Sequence, residues 1–75
     1  MQKLDFSGLA CPMPVIKLKK FLAQNPDLID AFEMSVSDQG ALRDIPAFCA
    51  QQNLHCVLKE QAGSVIRFEI QRQTI

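Results

Sequence analysis

The chain opens on a loose alternation, Leu4 and Phe6 against Lys3 and Asp5, which predicts a short first strand closed by a bend at Ser7 and Gly8. After Leu9-Ala10-Cys11 the period changes. Val15, Leu18 and Leu22 recur at i, i+3 and i+7, one apolar face of a helix, while Lys17, Lys19 and Lys20 populate the other face. A residue before proline avoids the α region, so Asn25-Pro26 should end this helix, which is expected over residues 12 to 24. Phe32, Met34 and Val36 then alternate with Glu33, Ser35 and Ser37, a strand with one buried face that stops at Asp38-Gln39-Gly40. From Ala41 to Asn53, Leu42, Ile45 and Cys49, joined by Phe48, return to helical spacing. Pro46 would clash with the carbonyl of Leu42 and fits best within the first turn or two, with a slight kink. Leu54 to Gln61 and Ser64 to Arg72 form a closing hairpin around Ala62-Gly63, with Ile66, Phe68 and Ile70 inward.

The expected order is therefore βαβαββ. Four amphipathic strands and two one-sided helices bury their apolar faces by stacking both helices on one face of one sheet, an α/β (α+β) two-layer sandwich. The sheet should be mixed, because strand-helix-strand crossovers favour parallel neighbours and the final hairpin is antiparallel.

At 75 residues, 48% hydrophobic and 21% charged, the chain reads as a single folded domain spanning residues 1 to 75. A domain of this length has one small core and no room for a large enclosed cavity, so its chemistry belongs at the surface, with a partner supplying the rest. Eight basic and eight acidic residues give no net charge, which argues against nucleic-acid and membrane-surface binding. No apolar run approaches the ~20 residues of a membrane span, and Met1 to Gly8 carry charge with no apolar signal region behind them. Together with the odd number of cysteines, Cys11, Cys49 and Cys56, these features point to a cytoplasmic protein with free thiols.

Cys11 is the residue most suited to chemistry. It stands where strand gives way to helix, immediately before Pro12, and proline is favoured at the first helical position, which makes Cys11 the expected N-cap. Pro12 and Pro14 lack N–H groups, so the first-turn amides of Met13 and Val15 are the ones expected to face the sulfur. The helix dipole adds roughly 0.3 to 1 kcal/mol in favour of the thiolate. The two prolines stiffen the turn, and Lys17 would add positive charge by folding back. There is no Cys-x-x-Cys, so a self-contained thioredoxin-like oxidoreductase is not expected.

Leu4-Asp5-x-x-Gly8-Leu9-x-Cys11-Pro12-x-Pro14, followed by Lys19-Lys20 and later by Arg43-Asp44-Ile45-Pro46-x-Phe48-Cys49, closely resembles the TusA/SirA family of small sulfur-carrier proteins. The resemblance covers essentially the whole chain. It implies a two-layer α/β sandwich and a persulfide on the motif cysteine, Cys11, loaded by a cysteine desulfurase or rhodanese-type donor and handed to a downstream acceptor protein. Family members serve several pathways, tRNA thiolation and other sulfur metabolism among them. Where many relatives have an acidic pair or Asp-x-Pro after the second strand, this chain has Ser37-Asp38-Gln39-Gly40.

The candidate site is thus Cys11 with Pro12, Met13, Pro14, Lys17, Asp38 and Arg43 in support, and no cofactor or metal is expected. Cys49 shares the apolar stripe of the second helix and reads as core, its functional alternative being a thiol that resolves a Cys11 persulfide. Cys56 alternates with Leu54 and Leu58, which also suggests the buried side, while His55 and Val57 offer a competing inward set. His55 and Cys56 point to opposite faces of a strand, and no cysteine pair has zinc-finger spacing. The lysines of the first helix read as a solvated face or as a dock for an acidic partner, and Asp38 and Asp44 as caps of the second helix. The alternative to a carrier is a non-catalytic interaction or regulatory module in which Cys11 acts as a redox sensor.

Overall fold

In a computed structural model, which describes residues 2–10 and 12–72, the elements follow the expected order. They are β1 (Gln2–Phe6), α1 (Met13–Gln24), β2 (Phe32–Val36), α2 (Ala41–Gln51), β3 (Leu54–Ala62) and β4 (Val65–Arg72). The sheet runs β1-β2-β4-β3. β1 pairs with β2 in parallel, while β4 pairs antiparallel with both β2 and β3. The sheet is therefore mixed, and the hairpin inserts its second strand into the middle.

Period-two patterning decides which face is buried. Phe32, Met34 and Val36 of β2 stand directly opposite Ile70, Phe68 and Ile66 of β4, and all six are buried. Leu18 from α1 and Ala41, Ile45 and Cys49 from α2 close over them, with Leu54 of β3 completing the core. Both helices thus lie on one face. Phe21 of α1 tilts against Phe32, ring centroids 5.0 Å apart, a preferred aromatic geometry that fixes the helix to β2.

Three boundaries differ from the sequence reading. The helix start moves one residue, from Cys11 at the cap to Pro12, whose carbonyl accepts the first intrahelical bond from the Ile16 amide at 3.2 Å. α2 ends at Gln51 rather than Asn53, because Asn53 adopts φ +57° and turns the chain into β3. The hairpin loop is Gly63-Ser64 rather than Ala62-Gly63: Ala62 still pairs with Val65, and only Gly63, at φ +60°, takes the left-handed conformation that a two-residue loop of the II′ kind requires first. Pro46 lies inside α2 but on its exposed side, so the ring displaces no packing, while Ile45 beside it is fully buried.

One stabilising contact joins the end of α1 to the end of β4, far apart in sequence. α1 carries no basic residue in its last turn, yet the Arg72 guanidinium donates from Nη2 to the carbonyls of Leu22 and Asn25, both at 2.9 Å. A cation at a helix C-terminus satisfies carbonyls that have no intrahelical partner. Arg72→Met, which keeps the apolar stem, should cost about 1 to 3 kcal/mol in urea unfolding followed by circular dichroism. A change below a few tenths of a kcal/mol would show that the contact contributes nothing.

Candidate functional site at the start of the first helix

The segment from β1 to α1 is held by local hydrogen bonds. Asp5 Oδ1 accepts from the Ser7 amide at 3.0 Å and from the Ser7 hydroxyl at 2.6 Å, an Asx-type turn. Those two bonds, the hydroxyl first, hold the Asp5 carboxyl below its ordinary pKa. The Gly8 amide donates to Ser37 Oγ at 2.7 Å, tying this loop to the end of β2, and the Leu9 amide donates to Phe6 O at 3.3 Å. Gly8 has φ +85°, where a side chain is strained even though open space surrounds the position. Gly8→Ala should therefore cost about 1 to 2 kcal/mol while leaving the core intact. An unchanged melting temperature would mean the loop relaxes freely.

Cys11 lies outside the described residues. Its neighbours are placed. Pro12 is the N-cap and is exposed, and Pro14, at N2, is buried, where the lack of an N–H is no loss. The Met13 amide does not face outward as the sequence reading expected. It donates to Ala10 O at 2.8 Å, so at most the Val15 amide remains of the two first-turn donors expected from the sequence. Met13 and Ile16 expose 38% and 50% of their surface, and Lys17 and Lys20 are exposed beside them. These four fall at i, i+3, i+4 and i+7 and form one outward face of α1.

Between α1 and α2 runs an open groove of about 360 Å³, lined by Pro12, Val15, Asp44, Ala47, Phe48 and Gln51. A narrow cleft that shares Pro12, Val15 and Asp44 adds Pro14, Asp38 and Ala41 and is too tight for water. Of the supporting residues, Pro12, Pro14 and Asp38 therefore meet, whereas Met13, Lys17 and Arg43 are exposed and lie off these linings. Of the α2 wall, Ala47 and Gln51 were not singled out from sequence, whereas Phe48 was read with the apolar stripe and Asp44 as a cap. The wall's signal is a second stripe at i, i+3, i+4 and i+7 beside the buried one. Gly40, not an aspartate, holds the α2 N-cap. Asp38 contributes its carbonyl to the Ala41 amide at 3.0 Å, and Asp44 sits in the first turn, where a carboxylate complements the helix dipole.

Cys49 is buried in the core, as its stripe indicated, and Cys56 is half-buried against it. The neighbouring Cys56 thiol, first, and then burial push the Cys49 thiol up, while Cys49 draws the Cys56 thiol down against the opposing effect of burial. Among the described residues no three histidines, cysteines or carboxylates gather as metal ligands would, and no helix is long and apolar enough to cross a membrane.

This βαβαββ sandwich, with a Pro-rich helix entry at one end of its helical layer, matches known proteins over nearly its full length. The model of the family described as sulfurtransferase TusA matches residues 2–72, and the chain belongs to that family. The sulfur carrier protein TusA of Allochromatium vinosum is 31% identical over 72 residues, covering 95% of this chain and 92% of that protein. A Neisseria meningitidis protein, provisionally named a sulfur carrier protein, is 42% identical over 64 residues, 83% of this chain and 84% of its own. The crystal structure of a SirA-like protein from Desulfitobacterium hafniense superposes with a TM-score of 0.81 at 24% identity, covering 95% of this chain and 96% of that one, and shares the fold.

Proposed function

We propose that this protein is a sulfur carrier that takes a sulfane sulfur onto Cys11 as a persulfide and passes it to an acceptor protein. Membership of the TusA family over residues 2–72 carries this reading, and the A. vinosum relative bears the name sulfur carrier protein. In the first step the Cys11 thiolate attacks the outer sulfur of a donor persulfide, such as that of a cysteine desulfurase or rhodanese-type enzyme. A new S–S bond forms on Cys11, the donor S–S bond breaks, and the donor cysteine leaves as thiolate. In the second step an acceptor thiolate attacks the outer sulfur and Cys11 leaves in turn. No net oxidant is needed.

The surroundings suit such an exchange. Pro12 ties position 11 to the start of a 12-residue helix, whose N-terminus favours an anionic sulfur. The groove beginning at Pro12 offers room for a partner segment that carries the reacting thiol. Met13 and Ile16, flanked by Lys17 and Lys20, form a face suited to a partner surface that is apolar at its centre and acidic at its edge. Asp38 lines the tight cleft at the helix start, and Arg43 adds a cation on the exposed side of α2.

The test is transfer. Protein loaded with radiolabelled sulfur by a cysteine desulfurase, and then separated from the enzyme, should hand the label to a thiol acceptor and lose it completely to dithiothreitol. Label that never attaches, or that no thiol can remove, would contradict the carrier role.

A further inference from the structure

Beyond their last parallel pair, Phe6 with Val36, β1 and β2 leave the sheet side by side, which brings Ser7 and Gly8 alongside Ser37. Gly8 turns at φ +85°, and its amide meets Ser37 Oγ at 2.7 Å, 29 positions away. Ser7 bonds to Asp5, Leu9 to Phe6 and Met13 to Ala10, all within the same stretch of chain. Of these bonds only that to Ser37 crosses to the end of β2. On the other side of position 11 the chain is anchored separately, by Pro12 at the cap of α1 and by buried Pro14 in its first turn. Gly8 and Cys11 are three peptide bonds apart, a reach of at most about 11 Å, so few torsions are available to absorb a shift of the Gly8 anchor. Ser37 itself lines neither the groove nor the cleft. The next residue, Asp38, lines the cleft with Pro12 and Pro14, and its carbonyl accepts from the Ala41 amide at the start of α2. Ser37 therefore joins the loop before Cys11 to the chain that launches the α2 wall of the groove.

We propose that Ser37 is a positioning residue for sulfur exchange at Cys11: its hydroxyl oxygen holds the Gly8 amide, so that the loop before Cys11 keeps a fixed place relative to the groove. The proposal rests on the carrier reading. Exchange requires the attacking sulfur to approach in line with the S–S bond that breaks, and a misplacement of ~1 Å can cost about 100-fold in rate. Removing the Ser37 hydroxyl frees the Gly8 amide but leaves the thiol, α1 and the exposed Met13 and Ile16 face in place. The rate of exchange therefore falls. The final extent of loading does not, because it depends on the relative stabilities of the donor and carrier persulfides. Partner affinity is also preserved, since Ser37 lies off the groove and off the α1 face.

The test compares full-length wild type, Ser37→Ala and Ser37→Thr. Each is mixed with an excess of persulfidated cysteine desulfurase, and the gain of one sulfur is followed by intact mass over time at several enzyme concentrations. Ser37→Ala should show a maximal loading rate about 10-fold lower, with the same half-saturating enzyme concentration and the same final extent. Ser37→Thr keeps the hydroxyl and should stay within about twofold of wild type. Hydrogen exchange of the Gly8 amide, read by NMR without any sulfur chemistry, should quicken in Ser37→Ala and return in Ser37→Thr. Wild-type loading by Ser37→Ala, an equal loss in Ser37→Thr, or a loss seen only in half-saturation would overturn the proposal and leave the carrier reading standing. So would a loss that matches the fraction of Ser37→Ala found unfolded by circular dichroism. A wild type whose Gly8 amide is protected through Ser37 but which takes no sulfur would overturn the carrier reading, and this proposal with it.

Discussion

Phe68→Ala is expected to remove a quarter or more of the folding free energy. Phe68 is 1% exposed on β4, the strand that pairs on both sides, where it stands opposite Met34 of β2 and Leu58 of β3. Truncating a buried phenylalanine typically costs about 3 to 5 kcal/mol, against a total of ~4 to 11 kcal/mol for a chain of this size. There is little to offset it, because no disulfide links the described cysteines and the core is a single cluster. With a urea dependence of about 1 kcal/mol per molar, the midpoint should fall by about 3 M. A fall of less than about 1 M would mean that the core repacks around the loss. Exposed Leu58 provides the internal comparison, since Leu58→Ala should shift the midpoint far less.

The second large effect is chemical. Cys11→Ser should abolish sulfur loading altogether while leaving stability unchanged within about 0.5 kcal/mol. A hydroxyl in place of the thiol offers the donor persulfide no thiolate nucleophile at neutral pH. Cys49 cannot substitute for it, since its thiol is buried in the core. Cys56 is the more accessible of the two, but it is only half-exposed and packs against the core. Lys17 and Lys20, by contrast, enter through encounter with the partner. Reversing those charges should slow loading and change its salt dependence without removing it.

Strand and helix identity were legible wherever one face is buried along a whole element. Phe32, Met34 and Val36 announce β2, Ile66, Phe68 and Ile70 announce β4, and the layer arrangement follows from having both helices one-sided. β3 was legible only in part. Leu54, Cys56 and Leu58 share a phase, yet their exposure rises along the strand until Leu58 is 48% exposed, because the hairpin outruns its helical cover and a register shift follows between Leu58 and Glu60.

What escaped the sequence reading depends on distant parts of the chain meeting. Arg72 completes α1 from 50 positions away from Leu22, and no local pattern records that. The Ser37 hydroxyl braces the Gly8 amide across 29 positions. The groove wall on α2 is mostly small or polar, so it carries no hydrophobic signature. At the candidate site itself, the motif Cys11-Pro12-Met13-Pro14 stands in the sequence, but the cap falls at Pro12, whose carbonyl accepts the first intrahelical bond from the Ile16 amide.

The most direct measurement of the central claim is the intact mass of wild-type and Cys11→Ser protein after incubation with a cysteine desulfurase and cysteine, followed by the same measurement after thiol reduction. The account predicts a gain of one sulfur atom in the wild type, its complete loss on reduction, and no gain in the variant. Equal gain in both proteins, or sulfur mapped to Cys49 or Cys56, would contradict it.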